Sequence, residues 1–225
     1  TSVSIIICVF NKFNFTKSCL NDLLQLDPLP EIIVWDNASS DETQSQLSNY
    51  PHIKYLRSEE NLGFGKANNQ AFAQSTGDII LFLNNDIRVS DNYKNWLNNF
   101  IPNILPQTLV GPTGGFVDPK NNFQFVYETG DSLKKINYMS GWCLGATRDT
   151  WNQLIEAPYL GPWCEEYFAY FEDTHLSFRA KQHLNLQFKL VEVPLTHFGK
   201  TTSRQLNTHK LYSDSRATFL SHWKK

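Results

Sequence analysis

Two adjacent carboxylates, Glu172 and Asp173, close a run of aromatic residues (Tyr167, Phe168, Tyr170, Phe171) in the stretch EEYFAYFEDTHLSFRAKQ. A carboxylate is costly to bury against apolar side chains unless a partner or a reaction uses it. Aromatic surroundings oppose ionisation and raise the pKa, which suits an acid whose task is to take a proton. The same residues admit a structural role: Asp173 as the cap of the helix that follows, and Glu172 as the ion-pair partner of Arg179.

The elements that must position this pair are legible in the first half of the chain. VSIIICVF and EIIVWD are β-rich runs of strand length, apolar enough to be buried on both faces. IKYLR and DIILFLN continue the series. Between them lie helical patterns over residues 15–26, in SSDETQSQLSNY, and in GKANNQAFAQSTG, the last closed by Gly77. This β-α-β-α-β-α-β order predicts a mostly parallel α/β sheet with right-handed crossovers. Ligands of such sheets gather beyond the carboxyl ends of the strands. There the chain places Asn11 and Lys12, then Asp36 and Asn37, then SEENLGFG, then Asn84, Asn85 and Asp86. Four strands deliver amides and acids to one rim.

The second half predicts short strands in LVGPTGGFVD and NNFQFVYETG. A strand runs into a helix in NYMSGWCLGATRDTW, a helix follows over EDTHLSFRAKQHL, and a strand over NLQFKLVEVP. The expected organisation is one domain over 1–225. It divides into a first half (1–110), a catalytic half (111–203) and a helical tail (204–225) in which Leu211, Tyr212, Ser215 and Phe219 recur at helical spacing.

Composition narrows the partners. The 225 residues carry a formal net charge of −2 with no long basic run, which argues against a nucleic-acid partner. Four widely spaced cysteines without a C-x-x-C pair argue against a zinc site or a disulfide scaffold, and point to a reducing, cytoplasmic setting. No stretch reaches the ~20 apolar residues of a membrane span. Peripheral association with the inner face of a membrane is compatible with this composition. The start at Thr1 and the Lys224–Lys225 end suggest a domain excised from a larger protein.

The motifs VSIIICVFN, IIVWDNASSDET, ENLGFGKANNQAF, GDIILFLNNDIRV, GWCLGATRDTW, EEYFAYFEDTHLSFRAKQ and VPLTHFGKTTS occur in the order seen in inverting glycosyltransferases of family 2. They resemble especially the rhamnosyltransferase-like branch, and the resemblance covers residues 3 to about 203. It implies a GT-A fold, Rossmann-like, with a nucleotide-sugar half and an elaborated acceptor half. It also implies transfer, with inversion, of a rhamnose-, galactose- or glucose-type sugar from a UDP or dTDP donor to a carbohydrate acceptor, in polysaccharide or glycoconjugate synthesis.

Residue by residue, the resemblance makes Asp36 the acceptor for the imide N–H of the base, with Asn11 and Asn37 beside it. Lys66 and its helix end would meet the diphosphate. Asn84-Asn85-Asp86 stands where the family carries Asp-x-Asp, so Asp86 would bind Mg2+ or Mn2+ with one acid fewer, and Asn85 would ligate or meet the ribose. His197 would complete the metal site. Asp173 would be the base that deprotonates the acceptor hydroxyl. Glu172 would bind acceptor hydroxyls, and Trp142 would stack on a sugar face. His175 occupies a position where relatives carry a third acid.

Two other readings are open on the residues: a non-catalytic carbohydrate- or nucleotide-binding module on a degenerate GT-A fold, and a sugar-1-phosphate nucleotidyltransferase. The latter requires a glycine-rich loop after the first strand, and FNKFNFTKS has no glycine.

Overall fold

The computed structural model describes residues 1–90, 95–199 and 207–224. In its first half, β1 (Val3–Val9), α1 (Phe13–Leu23), β2 (Glu31–Asp36), α2 (Thr43–Leu47), β3 (Lys54–Arg57), α3 (Phe64–Ala73) and β4 (Ile79–Leu83) alternate as the apolar periods require. Two short elements, β5 (Ile87–Val89) and α4 (Leu97–Phe100), lead into the second half. There β6 (Thr108–Gly111), β7 (Gly114–Asp118), β8 (Gln124–Thr129), β9 (Tyr138–Met139), β10 (Cys143–Thr147) and α5 (Arg148–Gln153) follow. The chain then forms α6 (Glu172–Gln182), β11 (Gln187–Leu190), β12 (Leu195–His197) and α7 (Thr208–Trp223).

Among the described residues the main sheet has seven strands in the order β11-β6-β10-β4-β1-β2-β3. Pairing is parallel for β1 with β2 and β4, for β2 with β3, and for β6 with β11, while β10 runs antiparallel between β4 and β6. Strands from both halves of the chain thus share one sheet.

The continuous apolar runs have a simple cause. Ile5, Ile7 and Val9 of β1 enter the core under α1, while Ile6 enters the core under α3, α5 and α6. Both faces are covered, so neither can be polar. Gly77, expected as a helix terminator, has a different role. α3 ends at Ala73, and a Cβ on Gly77 would stand 2.6 Å from the Ser4 backbone nitrogen.

A third, aromatic cluster joins the β8-β7-β9 sheet to α6 and α7 through Phe123, Tyr138, Tyr167, Phe171, Phe178 and Phe219. The tail forms the expected helix, although 204–206 and the 200–203 part of the last motif lie outside the described residues. Ser215 and Phe219, one turn apart, are its buried residues, and Ser215 Oγ donates to the Ala169 carbonyl at 2.6 Å. Burying Phe219 contributes about 1.5–3 kcal/mol to holding α7 there.

Candidate active site

Three strand ends build the first part of the rim. Asp36, the last residue of β2, is fully buried. One oxygen accepts the Ser39 N–H at 2.8 Å, and the other accepts the Tyr55 hydroxyl at 2.7 Å and the Arg57 guanidinium. Asn11, in the left-handed conformation (φ 56°), accepts the Ser40 N–H at 2.7 Å and so ties the end of β1 to the end of β2. Asn37 donates to Asn61 Oδ1 at 2.7 Å and accepts the Leu62 N–H at 2.8 Å, fixing the loop before α3. All three predicted residues meet at one edge, in contact with protein groups.

Arg57, one-quarter exposed, was not singled out in the sequence; only its place at the end of β3 hinted at it. Arg57→Met is expected to cost about 3–5 kcal/mol in urea denaturation, because it strands a buried carboxylate. A cost below ~1 kcal/mol would show that Tyr55 and Ser39 alone satisfy Asp36.

The glycines of NLGFG approach protein backbone. Gly63 has φ 79°, and a Cβ there would stand 2.5 Å from the Phe168 carbonyl oxygen, which accepts the Phe64 N–H at 2.8 Å. Gly65 faces Trp163 and Cys164 in the same way. Asn69, fully buried on α3, accepts the Trp163 N–H and donates to its carbonyl, at 3.0 and 2.8 Å. This start of α3 therefore anchors the aromatic loop that precedes Glu172. Lys66 stands half-buried in its first turn.

The second part lies where β4 ends. Asp86, 4 % exposed, and His197 meet at 3.1 Å between Oδ1 and Nε2. The pairing of β5 with β12 places them, with His197 opposite Ile87. Asn84 Nδ2 lies 3.3 Å from the same imidazole nitrogen, and Asn85 donates to Thr16 Oγ1 at 2.9 Å inside the protein. Trp142 stacks on the His197 ring (centroids 4.8 Å apart, planes 7° apart) and donates its indole N–H to Thr113. One face of Trp142 is therefore occupied by the imidazole.

The donor set of Asp86 and His197, a hard oxygen beside an imidazole nitrogen, suits a divalent cation. Among the described residues no third His, Cys, Asp or Glu joins them. Such a pair leaves the remaining positions to phosphate oxygens and water, as magnesium sites commonly do.

The third part is the carboxylate pair. α6 begins at Glu172 after two consecutive left-handed aromatics, Tyr170 (φ 70°) and Phe171 (φ 65°). Such conformations cost about 1–3 kcal/mol each and persist only where packing enforces them. Here Phe171 is buried against Phe125, Tyr212 and Phe219.

Asp173 Oδ2 accepts the Gly141 N–H at 3.0 Å, and Oδ1 accepts the Thr174 N–H at 2.6 Å and its hydroxyl at 3.2 Å. Glu172 Oε2 is buried without a hydrogen-bond partner among the described residues. Burial first, and then the Asp173 charge, push the Glu172 carboxyl up to about 8. Burial also raises Asp173, against the opposing pull of its hydrogen bonds from Gly141 and Thr174. The hydrogen bonds from Gly141 and Thr174 favour the ionised form of Asp173, a support that Glu172 Oε2 lacks among the described residues. Both line a cleft of about 990 Å³.

The structural alternatives for the pair do not occur. Phe171 takes the helix-capping position, and Asp173 sits in the first turn facing Gly141. Glu172 and Arg179 are two turns apart, ~10.5 Å along the axis, and Arg179 pairs with Glu156 at 3.0 Å instead. His175 is buried. Its Nδ1 accepts the Trp223 indole N–H at 3.1 Å and lies 2.9 Å from the Tyr167 hydroxyl. Burial lowers its pKa to about 3, so it stays neutral as the polar clasp between α6 and α7.

The metal-type pair and the carboxylate cleft border one peptide segment. The Trp142 carbonyl accepts the Asn84 N–H at 2.8 Å, while the Gly141 N–H binds Asp173. A Cβ on Gly141 would come within 3.1 Å of Asp173 Cβ, so this glycine lets the two parts approach.

A seven-stranded, mostly parallel sheet with such a rim is the GT-A arrangement. The chain belongs to glycosyl transferase family 2, matched over residues 4–130. It is similar to glycosyltransferase AglE of Haloferax volcanii, 33% identical over 135 residues, covering 57% of this chain and 41% of AglE. It is also similar to the putative glycosyltransferase EpsH of Bacillus subtilis, 24% identical over 210 residues, covering 88% of this chain and 60% of EpsH. The chain thus spans less than two thirds of either curated relative. Among solved structures, GalNAc-T7 with UDP, GalNAc and Mn2+ superposes with a TM-score of 0.67 at 15% identity, over 87% of this chain and 43% of that one. No described helix is long and apolar enough to cross a membrane.

Proposed function

We propose that this chain is the transfer domain of an inverting glycosyltransferase that moves a rhamnose-, galactose- or glucose-type sugar from a UDP or dTDP donor to a carbohydrate hydroxyl. The observation that carries this reading is the unequal Glu172–Asp173 pair lining one cleft: Asp173 accepts three hydrogen bonds that favour its ionised form, while Glu172 Oε2 is buried with no donor among the described residues. Asp173 takes the acceptor's proton as its oxygen attacks the anomeric carbon opposite the departing nucleotide, and the protonated Glu172 donates a hydrogen bond to an acceptor oxygen.

Asp86 and His197 would hold Mg2+ or Mn2+, whose charge when bound stabilises the leaving diphosphate. The GalNAc-T7 structure contains Mn2+, which supports the use of a divalent cation on this fold. The base would lie beside the Asp36–Arg57 unit, with Asn11 and Asn37 holding the loops there and Asn85 bracing the end of β4 against Thr16. Lys66 stands in the first turn of α3 as the candidate cation for the diphosphate. The setting in polysaccharide or glycoconjugate synthesis, at the cytoplasmic face of a membrane, belongs to the same proposal.

The test is nucleotide release from UDP- and dTDP-hexoses as a function of pH. Activity should fall on the acid side at a pH above the ordinary carboxylate range of about 4, because Asp173 must be ionised. It should change again near pH 8, where Glu172 loses its proton. Glu172→Gln should remove the second change and keep the first. A profile identical in wild type and Glu172→Gln would contradict the division of roles within the pair.

A further inference from the structure

The cleft that holds Glu172 and Asp173 is walled on one side by Phe125 and Glu128 of β8, and on the other by His209 and Tyr212 of α7. Phe125 and Tyr212 are large rings left 41% and 40% exposed. Each is nonetheless braced. Phe125 packs on Tyr138 and Phe171 at 5.5 Å, and Tyr212 packs on Phe171 at 5.2 Å and on Tyr170 at 5.8 Å. Rings fixed on one side and open on the other suit the C–H face of a pyranose. Sugar hydroxyls need acceptors, and the exposed Glu128 supplies one in the same cleft.

Trp142, the sugar platform expected from the sequence, is 9% exposed, covered by His197, and does not line this cleft. The volume, about 990 Å³, lies at the upper end of the ~300–1,000 Å³ of small-ligand sites and exceeds the needs of one ring.

We infer that the space between β8 and α7 is the acceptor subsite. One pyranose presents its hydroxyl to Asp173, and the next ring stacks against Tyr212 and Phe125 with a hydroxyl on Glu128. The inference rests on Asp173 as the base. It makes α7, outside the stretch matched to the family, a determinant of acceptor choice.

Saturation-transfer NMR on the full chain, with UDP and Mn2+ present, tests it. The probes are methyl glucoside, methyl galactoside, methyl rhamnoside, methyl N-acetylglucosaminide, lactose and cellobiose, with cyclohexanol as the apolar control. At least one sugar should receive saturation at its ring protons. Tyr212→Ala should weaken that signal about fivefold or more, Tyr212→Phe should retain it, and Glu128→Gln should weaken it severalfold, with UDP binding unchanged in all three. The inference is overturned if no sugar responds, if Tyr212→Ala binds as wild type does, or if cyclohexanol matches the sugars. Sugar binding that survives in a wild-type chain unable to bind UDP would leave the subsite standing and remove the transferase reading instead.

Discussion

Replacing Asp173 with alanine is expected to leave a folded protein that binds UDP as wild type does and transfers sugar about 10²–10⁴-fold more slowly, the range a positioned general base contributes. The expectation follows from what the side chain touches. Its oxygens accept three hydrogen bonds from Gly141 and Thr174 in the wall of the cleft, where water can take the place of the lost carboxylate. The fold therefore loses little, and what disappears is the carboxylate beside the place where the acceptor hydroxyl would lie. Steady-state rates beside calorimetric UDP titrations separate the two effects. Turnover within tenfold of wild type would assign the proton to another group.

The second large effect concerns Asp86. Asp86→Ala should abolish the gain in UDP affinity that Mn2+ confers, a loss of about 100-fold or more, since groups that merely orient metal ligands already cost ~10–100-fold. His197→Ala should act in the same direction, because Nε2 and Oδ1 converge to 3.1 Å. Titrating UDP with and without Mn2+ in each variant is the check. UDP affinity that responds to Mn2+ as strongly in Asp86→Ala as in wild type would place the cation elsewhere.

Much of this was legible in the chain itself. The apolar runs of β1, β2 and β4 announce strands covered on both faces, and the amides and acids that follow them announce the rim, because burial patterns and strand-end chemistry are local. The pairing of Asp86 with His197 was expected only from the family resemblance, and no local pattern announces it. It depends on two three-residue strands, β5 and β12, joined across more than a hundred residues. So short a segment has no periodicity to read. The Asp36–Arg57 contact was hidden for a related reason: it links the ends of neighbouring strands, and register is a tertiary property.

The glycines of NLGFG show a different failure. They lead into the helix end that the resemblance sets against the diphosphate, yet Gly63 and Gly65 make room for the chain between Trp163 and Phe168. A sequence shows that something must come close, and not what comes. Trp142 was ambiguous in the same way, since nothing in GWCLGA says that an imidazole from β12 will cover its ring. The role proposed for α7 escaped notice because its pattern reads as an ordinary docking helix; only packing shows that Tyr212 lines the same cleft as the carboxylates.

Anomalous scattering from crystals grown with UDP and Mn2+ tests the central claim most directly. The manganese peak should bond Asp86 and His197, with the diphosphate on the same ion, the base beside the Asp36–Arg57 edge and the sugar side open toward Asp173. A peak bound to other residues, or a nucleotide whose sugar end points away from Asp173, would contradict it.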